Sequence, residues 1–201
     1  QWGNRKRKNA HDCLSMKLLT CESCRIMRSN ATLMAMDAAA CYDRIITYMF
    51  NISERRFGLP KSACVTKGSA VFDMQRKVRT AFGNSTGRYT STHDDLLHGE
   101  CQGKTSSPPS WALLTISLLQ ALKKFNSGVT ITDAENKNPV SRVADMFVDD
   151  CDFWTALPPS SSEEHIVKQF TITAQAWERL LFATGGLLAL HKSFWWFVTW
   201  D

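Results

Sequence analysis

At 201 residues, with 44% hydrophobic and 21% charged side chains, the chain has the size and balance of a one-domain globular protein. That balance excludes a disordered tail, a collagen-like repeat and a coiled-coil rod, and no apolar run reaches the ~18 residues that a membrane span needs. The net charge of +5 is mildly basic. Part of it is one run, Arg5-Lys6-Arg7-Lys8, which suits a solvated loop or a segment that meets phosphate.

In chain order, Leu14, Leu18, Cys21 and Met27 recur at roughly helical spacing and predict a helix over 10–29. Ala31 to Met36 is short, apolar and closed by Asp37, which predicts a buried strand. A helix follows over Cys41 to Phe50. Pro60 and Gly83 bracket a second helical stretch with Val65, Phe72, Val78 and Phe82 on its apolar side. The next stretch to Gln102 is turn-rich, with Arg88-Tyr89-Thr90 as a candidate strand. Pro108-Pro109 open a helix from Trp111 to about Lys124, because a proline in the first turn removes no helical hydrogen bond. Gly128 to Thr132 reads as a strand. Val143 to Val148 and Cys151 to Thr155 read as a β-hairpin with Asp149-Asp150 at its tip. Ser162 and Glu163-Glu164 start a helix that stops at Gly185-Gly186. Irregular alternation with hairpins gives an α+β fold. Seven cysteines without a framework read as reduced thiols of an intracellular protein, and Cys21-x-x-Cys24 as thiols on a helix flank. A start at Gln1 and a stop just after an aromatic run read as a segment of a longer polypeptide.

The chemistry lies at the strand tips. Asp37 ends one apolar strand and Asp149-Asp150 separate two others. A single Asp there is a turn cap; two acidic tips that converge would repel one another. A divalent cation relieves that repulsion, and Mg²⁺ accepts carboxylate oxygens while keeping positions for phosphates. Two such ions, about 3.5–4 Å apart, form a clamp for in-line displacement at phosphorus. Gln102-Gly103 through Pro108 is a flexible polar turn feeding a helix, and Lys192 follows Gly185-Gly186 within reach of a triphosphate.

These residues resemble the ordered motifs of reverse transcriptases. Met36-Asp37 through Tyr42 and Ile45 resembles motif A; His98 through Gln102-Gly103 and Ser107-Pro108 resembles motif B. Phe147-Val148-Asp149-Asp150 resembles motif C, and Gly185-Gly186 through Lys192-Ser193 resembles motif D. The aromatic run from Phe194 stands where a motif E strand begins. Gln1 through Asp12 is similar to the element preceding motif A in non-LTR retrotransposon and group II intron enzymes. Glu100, Cys101 and Lys104 differ from the small residues usual around Gln-Gly.

The resemblance implies an RNA-directed DNA polymerase palm: an antiparallel sheet backed by helices in a ferredoxin-like split β-α-β arrangement. It implies part of the fingers over 1–30, a palm over 31–201, and no thumb. Asp37, Asp149 and Asp150, with the Ala38 carbonyl, would hold two Mg²⁺ ions, Mn²⁺ serving as a substitute. Lys192 would protonate the leaving pyrophosphate. Tyr42 would exclude a ribose 2′-hydroxyl, Gln102 and Gly103 would line the template base, and Arg5 and Arg7 would reach the triphosphate. The implied partners are an RNA template, a DNA primer, dNTPs and the remainder of a retroelement polyprotein, with no membrane. The alternatives are a non-catalytic remnant that binds nucleic acid weakly and a viral-type RNA-dependent RNA polymerase palm; Tyr42 and Phe147-Val148-Asp149-Asp150 argue against the latter.

Overall fold

The computed structural model describes residues 9–92, 98–101, 104–133, 135 and 137–199. Its centre is a four-stranded antiparallel sheet built from β1 (Asn30–Asp37), β6 (Ala144–Phe147), β7 (Asp150–Leu157) and β8 (Phe194–Val198), in the order β6-β7-β1-β8. With β1 and β7 central and antiparallel, this is the split β-α-β order that the sequence led us to expect. The helices are α1 (Ala10–Ile26), α2 (Cys41–Arg44), α3 (Thr47–Arg56), α4 (Lys61–Phe72), α5 (Ser107–Leu122) and α6 (Glu163–Ala183). Two small hairpins complete it, β2 (Arg79–Thr80) with β3 (Gly83–Asn84), and β4 (Val129–Ile131) with β5 (Val140–Arg142). No helix among the described residues is long and apolar enough to cross a membrane.

Strand alternation sends Met34, Met146, Cys151 and Phe153 to one face of the sheet. There they meet Trp111, Leu114, Leu118 and Leu122 of α5 and Trp177 and Leu181 of α6, residues spaced three or four apart on their helices. Burial of each such Phe or Leu stabilises the fold by about 1.5–3 kcal/mol. Ala31 and Trp154 face the other way, onto Cys24 of α1 and Val129 of β4. The sheet is thus covered on both faces at its Asn30 end, while the Asp37 end stays open on the α1 side.

Four sequence expectations change in detail. The stretch from Cys41 to Phe50 is two helices, because Ile45 and Ile46 are extended and the Ile46 N–H donates to the Thr184 carbonyl at 2.8 Å. The helix after Pro60 stops at Phe72, ten residues short of the expected end, and buries Cys64, Gly68 and Val71; Val65, Val78 and Phe82 are exposed. Arg88 to Thr90 forms no strand, only an isolated bridge from Tyr89 to Arg76. The helix over 10–29 exists, but Leu14 and Leu18 point outward and Cys13, Thr20 and Cys24 are buried.

The last difference has an electrostatic cause. Beneath α1 lie the carboxylates of Asp145 and Asp152, neighbours across β6 and β7. Arg142 grips Asp145 with two bonds of 2.6 and 2.7 Å and donates to Met16 O and Thr20 Oγ1 of α1. Lys17 pairs with Asp152. An apolar stripe laid on that row would leave Asp152 without its cation and the Arg142 guanidinium without its Thr20 acceptor, so the polar stripe faces inward. All seven cysteines are free, Cys21 and Cys24 lying on the flank of α1 as expected.

Candidate active site

Asp37, the last residue of β1, is the register partner of Asp150, the first residue of β7. Residues opposite one another in an antiparallel pair share a face, so both carboxylates emerge on one side of the sheet. The strand end is fastened by its backbone on two sides: Ala38 N–H donates to Asp149 O at 3.4 Å, Ala39 N–H to Leu187 O at 2.8 Å, and Ala189 N–H to Asp37 O at 2.9 Å. The segments at Asp37–Ala39, Asp149 and Leu187–Ala189 are thereby held together in one place, although they lie far apart in sequence.

The turn between β6 and β7 consists of Val148 and Asp149. Val148 has φ = 60°, a left-handed conformation that costs a β-branched residue on the order of 1–3 kcal/mol. Tight hairpin turns need a positive φ, and here its carbonyl accepts a 2.6 Å hydrogen bond from the indole N–H of fully buried Trp111. The acidic turn is therefore anchored in the core, not free in solvent.

Charge is crowded at this end. Burial, then the negative charges of Asp149, Asp37 and Asp152, push the Asp150 carboxyl above its ordinary value. Lys192, which closes a short 3-10 turn over Leu190–Lys192, places Nζ 2.8 Å from Asp37 Oδ2. That hydrogen bond and charge raise the lysine's pKa and keep it protonated. Asp37, Asp150, Asp152, Lys17, Lys192 and Phe194 line a cavity of about 230 Å³. Among the described residues, no three His, Cys, Asp or Glu side chains converge on a point that would hold a metal ion. The donor chemistry nonetheless suits a hard divalent cation: crowded carboxylate oxygens, that of Asp150 pushed upward by burial and then by its neighbours' charge. Lys192 now occupies part of that role, and its side chain is 62% exposed.

Tyr42 lies in α2, directly after the strand end, with its ring edge-to-face on Trp111 at a centroid distance of 6.4 Å. Burial, then the charges of Cys41 and Asp149, push its hydroxyl up to about 12. Its carbonyl accepts from Glu100 N–H at 2.7 Å, and Ile45 O from Gly99 N–H at 2.8 Å. Gly99 has φ = +85°, and a Cβ there would lie 2.5 Å from the Asp43 backbone, so only glycine lets this segment seat on α2. Arg5, Arg7, Gln102 and Gly103 lie outside the described residues.

Two clusters escaped sequence reasoning. One is Lys17 with Asp152, whose carboxyl is raised by burial and lowered back in part by the lysine. The other joins three elements: Lys67 of α4 contacts Glu54 of α3, Glu100 and, at 2.6 Å, Ser110 Oγ of α5, while Ser110 Oγ donates to Glu54 at 2.6 Å. Glu100 is fully buried. Its departure from the motif B pattern was the one available signal; Glu54 and Lys67 gave none.

Lys17→Met provides a pH test. Asp152 already ionises with difficulty, so losing the lysine raises its carboxyl further. The variant should lose about 1–2 kcal/mol at neutral pH. That deficit should shrink as pH falls through the carboxylate range, since protonated Asp152 needs no cation. Thermal melts across pH check this; a deficit that grows on acidification would refute it.

The fold is shared with telomerase. An apo telomerase from Candida tropicalis, truncated from its C-terminal domain, matches with a TM-score of 0.63 at 15% identity, over 96% of this chain and 36% of that one. A Candida albicans telomerase solved with a TWJ fragment of telomeric RNA matches with a TM-score of 0.60 at 12% identity, over 94% and 30%. A further apo telomerase from Candida tropicalis matches at 0.58 and 13%, over 96% and 33%. The chain spans about a third of the length of these telomerase chains. No protein-family model matches the sequence, and no curated protein does. At these identities the likeness shows the fold alone.

Proposed function

We propose that the chain is the palm of an RNA-directed DNA polymerase, in which Asp37, Asp149 and Asp150, with the Ala38 carbonyl, hold two Mg²⁺ ions. The observation that carries this reading is the meeting of the Asp37 strand end with the Asp149-Asp150 turn in a reverse-transcriptase-related fold. Bound there, the ions would lower the pKa of a primer 3′-hydroxyl and balance the charge developing on the triphosphate and pyrophosphate.

The chain's own residues supply the rest. Lys192, kept protonated by its carboxylate neighbours, has a proton to give to pyrophosphate once it leaves Asp37. Gln102 and Gly103 would line the template base, and Arg5 and Arg7 would meet the triphosphate. An RNA partner agrees with the TWJ fragment of telomeric RNA bound by the Candida albicans telomerase. Tyr42 would set the sugar preference by contact with the 2′ position. Tyr42→Ala should raise ribonucleotide incorporation by about a hundredfold relative to dNTPs, the scale on which a pocket rejects one added hydroxyl. Single-nucleotide incorporation assays check this, and an unchanged ratio would remove Tyr42 from the sugar site.

A non-catalytic remnant is the competing reading, and the Lys192–Asp37 pair is the observation in its favour, since it already neutralises Asp37 without a metal. Thermal shift with Mg²⁺ or Mn²⁺ alone separates the two. Under the polymerase reading both ions raise the melting temperature, and the increment disappears in Asp149→Asn. Under the remnant reading neither ion moves it.

A further inference from the structure

Between α4 and Glu100 the chain makes an excursion that the polymerase reading does not use. Residues 74–92 contain Arg76, Lys77, Arg79 and Arg88 and no acidic side chain. Reciprocal backbone bonds between Arg76 and Tyr89, of 2.8 and 3.0 Å, close its base. The β2–β3 ladder and a 2.8 Å bond from Ser85 N–H to Val78 O build it into a hairpin arm. Phe82 sits in the turn, and its side chain is fully exposed, at 102%.

The arm has an ordered base and an unpartnered outer end. Arg76 turns inward, its Nη2 lying 3.4 Å from Cys101 Sγ, which fixes the base of the arm against Cys101. Lys77, Arg79 and Arg88 are exposed, and none pairs with a carboxylate among the described residues. Arg88 is held by the neutral side chain of Gln75, which orients the guanidinium without cancelling its charge. Tyr89 is 48% exposed on the same arm. One exposed Phe is ordinary on a protein surface. A fully exposed ring on the tip of a hairpin that carries only positive charge is the combination that binds unpaired nucleic acid, with cations on phosphates and an aromatic face for a base. Duplex would satisfy the cations but give the ring no exposed base to stack on.

We propose that this arm binds single-stranded nucleic acid, with Lys77, Arg79 and Arg88 on the phosphates and Phe82 stacked on a base. The test is fluorescence anisotropy of the full chain with oligouridine and oligothymidine of about 15 nucleotides. It is run without nucleotides or divalent ions over a salt series, so its outcome is independent of the carboxylate site. The Lys77→Glu/Arg79→Glu/Arg88→Glu variant should bind at least about tenfold more weakly, and its log–log salt slope should fall by about 2, three contacts at ~0.7 each. Phe82→Ala should lose about fivefold or more while keeping the slope, and Phe82→Trp should restore binding. Tighter binding of RNA, or of DNA, names the strand that the arm takes; either supports the proposal. Lys168→Glu on α6 controls for charge alone, and thermal melts confirm folding of every variant. The proposal is overturned if the triple variant binds no worse than Lys168→Glu, or if Phe82→Ala binds both oligonucleotides as the wild type does.

Discussion

Asp149→Asn, and separately Asp37→Asn, should reduce templated primer extension by about a thousandfold, the rate equivalent of the several kcal/mol that metal-held charge supplies at the transition state. Both substitutions keep the side-chain volume and remove only charge. Asp37 meets Asp150 across the β1–β7 register, and the Asp37–Ala39 backbone is stapled to Asp149 and Leu187–Ala189 by bonds that an amide side chain does not disturb. The folded state should therefore survive. Melting temperatures without divalent ions should stay close to wild type or rise, because one charge leaves a site where burial and then the neighbouring carboxylates already push Asp150 upward. The measurement is extension of oligo(dT) on poly(rA) by the longest native chain that carries these residues, with Mg²⁺ and then Mn²⁺. Retained extension in Asp149→Asn would sink the two-metal assignment. Wild-type protein that folds and binds primer–template without extending it would favour the remnant.

Lys67→Met should be the most destabilising of the charge substitutions, at about 3–5 kcal/mol, lowering the melting temperature by roughly 10 °C. The ammonium hydrogen-bonds to Glu54 and Ser110 and pairs by charge with Glu100. Methionine fills a similar volume and meets none of these needs, leaving two buried carboxylates without their shared cation. The effect should reach the site, because the Glu100 backbone N–H holds the Tyr42 carbonyl and Ser107 Oγ donates to the Glu100 carbonyl at 3.0 Å. Adding Glu100→Gln to Lys67→Met should recover part of the loss, since the amide removes one of the two charges. A Lys67→Met protein that melts with the wild type would show that the cluster contributes nothing to stability.

Glu100 shows where local pattern stops being informative. In sequence it is a departure from the small residues expected before Gln102. In the fold it is the fully buried partner of a lysine on α4, and Glu54 and Lys67 stand thirteen residues apart on separate elements. No spacing rule links residues whose meeting depends on how three elements pack.

What the sequence determined by itself was local: the strand that ends at Asp37, the hairpin that turns at Asp149, the prolines in the first turn of α5, the Ser162 cap and the stop at Gly185. Caps, turns and period are written in neighbouring residues, so they are legible without the fold. The split β-α-β arrangement of the strands was an expectation of the resemblance, not of these local signals. Tertiary structure alone decided which face of a helix turns inward. Leu14 and Leu18 of α1 are as apolar as any core residue, yet the buried row of Asp145 and Asp152 beneath the helix draws Lys17 and Thr20 inward instead. The left-handed Val148 is likewise tolerated only because a tryptophan 37 residues away binds its carbonyl. A side chain's burial depends on the surface that it meets, and that surface exists only once the chain has folded.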